Sequence, residues 1–462
     1  MNYHEFIASK QRTIDPAGFE PGELNPKLFD WQADIVRWAC RMGKFGGFED
    51  CGLGKSFQQL ECARQIVEHT QKPVLILCPL AVAEQTKREA AKFGIDCSVT
   101  VIKTSNDVQP GINVCNYERL HAINPDDFAG IILDEGSIIK SVDGKIRKEL
   151  LTRFDAIPYR QTWTATPAPN DHMEIGNQAE FLGIMKREEM LAKYFVHDGG
   201  DTSKWRLKGH AAALFWKWMA QWSIMIRSPK DLGYESQGYT LPPIRYEQHT
   251  IEIDKPLPGM LFQSEARTLN ERRDARKQSL RERCELVASL AESNDQPWVI
   301  WCNYNAEGEL LEKVIGDAVE VAGRHTTDEK EDRLSRFTNG DIRVLITKPK
   351  IGGFGLNWQH CCNTAIFPTD SWEQWYQMIR RFWRFGQTQT VNVHYVASGQ
   401  EAAVVRNLMR KERDAAAMFD GTAAAMSSAS RDNLQGIKQQ HDRYKSETQM
   451  EIAQWAQPAL IK

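Results

Sequence analysis

Three consecutive apolar residues, Ile131, Ile132 and Leu133, run directly into two carboxylates, Asp134 and Glu135. A short unbroken apolar run reads as a strand buried on both faces, the kind found in parallel sheets. Acids at the carboxyl end of such a strand stand where open α/β sheets receive ligands. One acid of the pair can hold a metal ion while its neighbour, pointing the other way along the pleat, orients or deprotonates a water. Alone, the pair reads as the acidic surface end of a strand. A phosphate-binding loop upstream changes its meaning.

That loop lies in Gly46–Leu60, GGFEDCGLGKSFQQL. Gly52, Leu53, Gly54, Lys55 and Ser56 open a helix-like stretch that continues through Val67. The glycines let backbone N–H groups approach phosphate oxygens, and a helix N-terminus adds a favourable dipole. Lys55 supplies a point charge to a β/γ-phosphate, and the Ser56 hydroxyl can ligate Mg2+. The strict GxxxxGK[ST] pattern fails because position 49 is Glu. In isolation, an incidental turn explains the segment equally well.

Around these motifs strands and helices alternate. Pro73–Pro79 reads as a buried strand, Ala81–Phe93 as a helix, and Ser98–Ile102 and Ile112–Val114 as short strands. Such alternation implies a parallel sheet with right-handed crossovers. In Gln161–Asp171, QTWTATPAPND, a β-branched run stops at a Pro-rich turn. The Thr164 and Thr166 hydroxyls either bridge the acidic pair to another group or mark a plain strand-to-loop transition. Upstream, Lys27–Arg41 has a helical apolar period with Gln32 among it, a solvated or capping amide on that segment alone.

Glu180–Tyr239 breaks the rhythm. Within it Ala211–Ile226, AAALFWKWMAQWSIMI, has aromatics at roughly helical spacing, which favours buried core over a base-stacking surface. Tyr246–Ile253 reads as a strand. Met260–Ser293 carries many charges and reads as an exposed helical insertion, its basic residues either solvated or touching a phosphate backbone. A second series follows, with strands at Pro297–Trp301, Arg343–Thr347, Thr364–Phe367 and Val391–Val396, and a helix at Ala306–Val314. Gly353 and Gly355 in KIGGFGLN permit close backbone approach to a phosphate. Arg381 and Arg384 in QMIRRFWRFGQ lie three apart, on one face if the segment is helical. They form either a basic amphipathic face or a guanidinium pair reaching across to a transferred phosphoryl group. Glu401–Met418 reads as helical, Gly421–Ser430 as a small-residue linker, and residues 431–462 as a polar tail.

At 462 residues the chain exceeds what one core supports, so two or three domains are expected. The formal net charge of -3 gives no global attraction to nucleic acid, so such a partner must be met by local basic patches. The ten cysteines include no CxxC pair and no ligand-like spacing with His. Buried thiols in a reducing compartment are expected, rather than a zinc site or disulfides. The first residues, MNYHEFIASKQRTID, lack the apolar centre of a signal peptide, and no run approaches 18 apolar residues. A soluble cytoplasmic protein with no membrane partner is expected.

The order GLGKS, ILCPLAVAEQ, ILDEGS, TATPAPND resembles the first motor lobe of superfamily 2 helicases and translocases. EDCGLGKS is similar to DEMGLGKT, and DEGSIIKS to DEAHxIKN, of the Swi/Snf-type branch, whose pattern accommodates Glu49. Asn116-Tyr117-Glu118 resembles that branch's SYE step, and LFDWQ its LRPYQ, whose glutamine reads adenine. Ile226–Asp231 with Leu241-Pro242-Pro243 resembles the RRxK…LPP crossing between lobes. His325–Asn339, with Arg333 and Phe337, resembles RxxxixxF, and KIGGFGLN resembles KAGGxGxNL. Gln377–Gln387 matches QAxxRxxRxGQ at all but the Ala, and VNVHYV resembles VxVyrl.

The resemblance implies an α/β fold of two RecA-like parallel-sheet lobes with helical insertions. Residues 1–23 would be a lead-in, 24–180 the ATP-binding lobe, 181–240 a helical insertion and lobe crossing, 241–420 the second lobe with an insertion near 256–294, and 421–462 linker and tail. It implies ATP and Mg2+ between the lobes. Gln32, Gly52, Leu53, Gly54, Lys55, Ser56, Gly353 and Gly355 would bind nucleotide, and Ser56 and Asp134 the metal. Glu135 would activate water, Arg381 and Arg384 complete the site, and Thr164, Thr166 and Gln377 couple it to motion. It further implies a motor translocating on double-stranded DNA through phosphate contacts, salt-sensitive and independent of sequence. A strand-separating DNA or RNA helicase and a non-catalytic ATP-gated clamp are the alternatives. Ser137 in place of the DEAH histidine, Trp163 before the TATP step and Ser228 in the crossing depart from the pattern, and bear on coupling more than on nucleotide binding. The chain length suits a compact bacterial or bacteriophage form, which in the second case would act in the host cytoplasm.

Overall fold

The computed structural model describes residues 14–413, apart from residues 15, 80–81, 169–170, 199–200, 236–240, 253–267, 353–356, 370, 402–403, 405, 407 and 411–412. Gly353, Gly355 and the expected linker and tail lie outside the described residues. The described strands are β1 (Lys44–Glu49), β2 (Val74–Cys78), β3 (Val99–Val101), β4 (Ile112–Asn116), β5 (Gly130–Asp134), β6 (Tyr159–Trp163), β7 (Phe195–Asp198), β8 (Asp201–Leu207), β9 (Ser223–Ile226), β10 (Ile244–Ile251), β11 (Trp298–Trp301), β12 (Ala318–Val321), β13 (Val344–Thr347), β14 (Asn363–Ile366) and β15 (Val391–Ser398).

Two parallel sheets result, each with helices on it, and together they form the expected α/β pair of RecA-like lobes. The first runs β3-β4-β2-β5-β6-β1-β9 and the second β10-β15-β14-β11-β13-β12; β7 and β8 make a separate antiparallel hairpin. The apolar runs explain the arrangement. Every residue of β2 (VLILC) and the first four of β5 (GIILD) are buried, which requires a covered sheet with neighbours on both sides. β5, β6 and β1 lie side by side, with Trp163 of β6 in register with both Asp134 and Gly47. Their carboxyl ends therefore open on one edge, and the loop, the acids and the Thr164 turn converge there.

Two stretches differ from expectation, and a third decides between readings the sequence leaves open. Residues 181–240 are not only helical: after the helix Ala212–Met219, Ser223–Ile226 forms a fully buried strand beside β1. The aromatic density around SIMI hides an ordinary four-residue apolar run. Phe215, Trp218 and Trp222 pack in the core, as their spacing suggests.

Secondly, the charged segment before residue 293 is not simply exposed. In the helix Leu280–Glu292 the residues Cys284, Val287, Ala288 and Ala291 are buried against β11 and its neighbours. Their i, i+3, i+4, i+7 spacing is a narrow apolar stripe that the flanking charges obscure. Arg283 goes inside with them. It pairs with Glu307 at 2.9 Å, and also donates to Ser279 Oγ and the Arg276 carbonyl.

Thirdly, Gln377–Gln387 is not one helix. The helix Trp372–Ile379 ends there, and Arg381 and Arg384 sit in the following turns. Phe382 is drawn into the second core, and Gly386 takes φ +92°, so the chain leaves the helical path.

Candidate nucleotide site between the two sheets

β1 ends at Glu49, which is fully buried. Gln58 Nε2 donates to its Oε2 at 2.8 Å, while Oε1 has no hydrogen-bond partner. Burial, only partly offset by Lys55 and Gln58, pushes this carboxyl up to about 7. The loop then turns through Gly52 (φ +86°) and Gly54 (φ +79°), left-handed conformations that glycine adopts without strain. Lys55 opens the helix Lys55–Thr70, and its Nζ donates back to the Glu49 and Asp50 carbonyls at 2.8 and 3.0 Å. Gln32 Nε2 donates to the Leu53 carbonyl at 2.9 Å, while its Oε1 accepts from the Phe29 amide at 3.1 Å. The glutamine thus caps its own helix and touches the loop. A Cβ on Gly54 would lie 2.5 Å from its Nε2.

Asp134 sits at the mouth of β5. Gln59 Nε2, from the helix after the loop, donates to its carboxylate at 2.9 Å, and Tyr117 Oη donates to its carbonyl at 2.7 Å. Burial first, then the neighbouring Glu135 charge, pushes Asp134 up to about 7. Glu135 does not continue the pleat. It adopts φ +54°, ψ +53°, a left-handed conformation of the strained kind found at functional sites. The next residue must be glycine, because a Cβ at Gly136 would fall 2.0 Å from Thr162 Oγ1. Thr164 Oγ1 donates to Glu135 Oε2 at a long 3.4 Å and accepts from the Thr166 amide at 3.1 Å. A hydroxyl chain therefore joins the acid to the TATP turn.

The second sheet reaches this edge through the helix Trp372–Ile379 and the turns after it. Arg381 is buried. Desolvation and the like charge of Arg384 lower its guanidinium to about 10, opposed by Glu135 and Asp134 among others. Arg384 and Phe385 lie over the loop: a Cβ on Gly52 would meet the Phe385 amide nitrogen at 2.7 Å and the Arg384 Cβ at 3.3 Å. Asp50 accepts from Tyr376 Oη and pairs with Arg380 at 3.2 Å. Lys140 pairs with Glu373, and Ala165 and Cys51 pack into the second sheet's apolar cluster. Gln377 is buried on the same helix, its Nε2 without a hydrogen-bond partner. Asp50, Tyr376 and Arg380 are contacts that motif reading does not single out. Their one signal is the i, i+4 spacing of Tyr376 and Arg380 just before the two arginines.

This donor set fits a magnesium-bound triphosphate. A helix N-terminus behind two left-handed glycines makes an anion cradle. Lys55, Arg381 and Arg384 bring cations from both sheets. Ser56 and Asp134 offer hard oxygen ligands of the kind Mg2+ takes. Arg384 Nε is buried without a hydrogen-bond partner, as a group kept for a ligand would be.

No family model matches the chain. It is 26% identical over 236 residues to TATA-binding protein-associated factor MOT1 of Saccharomyces cerevisiae, covering 42% of this chain and 12% of that protein. It is 22% identical over 433 residues to mouse DNA annealing helicase and endonuclease ZRANB3, covering 82% of this chain and 40% of that protein. Both are SNF2-family helicase-like proteins. The chain resembles the Swi/Snf type. This Swi/Snf-like chain thus spans less than half the length of either relative. It also matches putative protein p41 of Acyrthosiphon pisum secondary endosymbiont phage 1, at 22% identity over 420 residues, covering 75% of this chain and 87% of that protein. Among solved structures it is similar to a Sulfolobus solfataricus SWI2/SNF2 ATPase core in complex with dsDNA, with TM-score 0.41 and 17% identity, covering 90% and 98% of the two chains. Among the described residues no helix is long and apolar enough to cross a membrane.

Proposed function

We propose that the Swi/Snf-like chain is an ATP-driven motor that translocates on double-stranded DNA. The observation that carries this reading is the approach of Arg384 and Phe385, from the second sheet, to Gly52 in the loop of the first. A site assembled from two bodies reports its own occupancy as a change in their separation. That is what a motor needs.

In this reading Lys55 and the loop amides hold phosphates, and Ser56 and Asp134 hold Mg2+. Bound Mg2+ neutralises charge between the phosphate oxygens. Glu135 orients the attacking water and takes its proton, held in place by its left-handed backbone and Thr164. Arg381 and Arg384 counter charge that builds on the transferred group, a role worth about 10³–10⁵ in rate where it has been measured. Gln32 recognises the base, and Thr166 and Gln377 pass closure on to the polymer. On the second sheet, Arg324, Lys348 and Lys350 line a cavity of about 470 Å³ beyond the ends of β11, β12 and β13. Arg324 there is paired with Glu309, Glu312 and Glu320, so Lys348 and Lys350 are the cations offered to a phosphate backbone. Double-stranded DNA as track rests on the Swi/Snf resemblance, and a compact phage-type protein on the breadth of the p41 match.

The test compares ATP hydrolysis with duplex DNA, single-stranded DNA, RNA and no polymer. Stimulation by duplex without strand separation is expected. Stimulation by single strands with displacement of a complementary strand would instead make the chain a helicase. Absence of turnover with every polymer would leave an ATP-gated clamp.

A further inference from the structure

On the second sheet, away from the nucleotide edge, three side chains from two strands converge. Glu247 and His249 are two apart on β10, so they share one face of the sheet. His394 on β15 is the cross-strand partner of Glu247. His249 Nε2 lies 3.1 Å from His394 Nδ1, and His394 Nδ1 lies 3.4 Å from Glu247 Oε2. The three donor atoms fall within 4.8 Å of one another. Trp298 stacks on the His394 ring with centroids 5.3 Å apart, fixing its orientation. Tyr246 and Tyr395, the neighbours in sequence, point to the opposite face and pack on Trp375 of the interlobe helix. The cluster therefore has its back to the nucleotide site.

We propose that Glu247, His249 and His394 form a site for a divalent transition-metal ion of the zinc class. Hydrogen bonding serves the trio poorly. His394 Nδ1 faces both other donor atoms and carries at most one proton, so it cannot donate squarely to both. A cation satisfies all three at once. Bonds of about 2.0–2.1 Å to nitrogen and oxygen in a tetrahedron put ligand atoms about 3.3 Å apart. The two separations from His394 Nδ1, 3.1 and 3.4 Å, bracket that edge, and the third lies within 4.8 Å. Two imidazoles with one carboxylate suit zinc better than the all-oxygen preference of Mg2+. Glu247 and His249 are partly exposed, which leaves the fourth position to a water. The ion would staple edge strand β10 to β15. No cysteine takes part, so the cysteine pattern, which argues against a zinc site, carries no signal for this one. Nor does local spacing, because His394 comes from 145 residues beyond His249.

The test is Zn2+ titration of the full chain against a chromophoric chelator, with Co2+ absorption as a second readout. One equivalent is expected, with a tetrahedral Co2+ spectrum lacking a thiolate charge-transfer band, and a rise in melting temperature on adding Zn2+. H249N should weaken Zn2+ binding by at least about 100-fold, the upper end of what loss of an outer-shell partner costs. E247Q should also weaken it, and both should lose the Zn2+-induced melting shift. H210N, at an exposed histidine elsewhere, should behave as wild type. No stoichiometric Zn2+ binding by the wild-type chain, or unchanged binding by H249N, would overturn the proposal.

Discussion

Glu135 holds a backbone conformation that few side-chain-bearing residues adopt, and does so between a buried strand and a glycine that cannot be replaced without collision. E135Q preserves shape and removes the base. It should lower ATP turnover by at least about 100-fold while nucleotide affinity stays near normal, measured by single-turnover hydrolysis beside equilibrium binding. Unchanged turnover would remove Glu135 from the chemistry. Glu49 makes a different prediction. Its carboxyl is raised in the folded chain from 4.5 to about 7, so folded protein binds more protons than unfolded across that interval. Stability from this group is therefore fully present below about pH 4 and falls as pH rises toward 7. E49Q should flatten that part of the pH–stability curve in chemical denaturation. A slope unchanged from wild type would show that the carboxyl is not held protonated.

Whole elements show where sequence reading succeeds and where physics hides the signal. β2 and β5 were legible because burial on both faces leaves an uninterrupted apolar run. Lys55, Asp134 and Glu135 were legible because a cradle and an acidic strand end have local spacing. The inward helix Leu280–Glu292 was not, since its apolar stripe is narrow and charged residues flank it. Whether the turn carrying Arg381 and Arg384 is helical stays open in the sequence, because its amphipathic spacing competes with Gly386, whose left-handed φ ends the run. The buried Arg283–Glu307 pair was invisible, its partners being 24 residues apart on separate helices. Glu307 also accepts from the Asn303 and Tyr304 amides, so its removal strands a desolvated guanidinium and two donors. E307A should destabilise the second lobe by about 3–5 kcal/mol. Denaturant unfolding followed by tryptophan fluorescence checks this, since Trp298, Trp301, Trp358 and Trp375 lie in that lobe's core. A loss below about 1 kcal/mol would show that the pair is hydrated.

Across the whole molecule, among the described residues, the two sheets meet through chemically distinct contacts, including Asp50 with Tyr376 and Arg380, Lys140 with Glu373, Ala165 and Cys51 against the second core, and the Arg384 turn over Gly52. None of these partnerships has a local signature, which is why motif order named the lobes but not the clasp between them. The tightest point is the smallest. Where the Phe385 amide would come within 2.7 Å of a single added carbon, the seam has no slack, and one methyl group becomes a doorstop. G52A should cost about 1–2 kcal/mol locally for its left-handed backbone, yet still admit nucleotide into the half-site of the first lobe. Latching should fail: scattering should show lobes that stay apart with nucleotide bound, and hydrolysis should fall much further than affinity. A variant that latches and turns over normally would mean the seam yields after all. Otherwise, loading and firing become separate events, divided by the width of a hydrogen atom's shell.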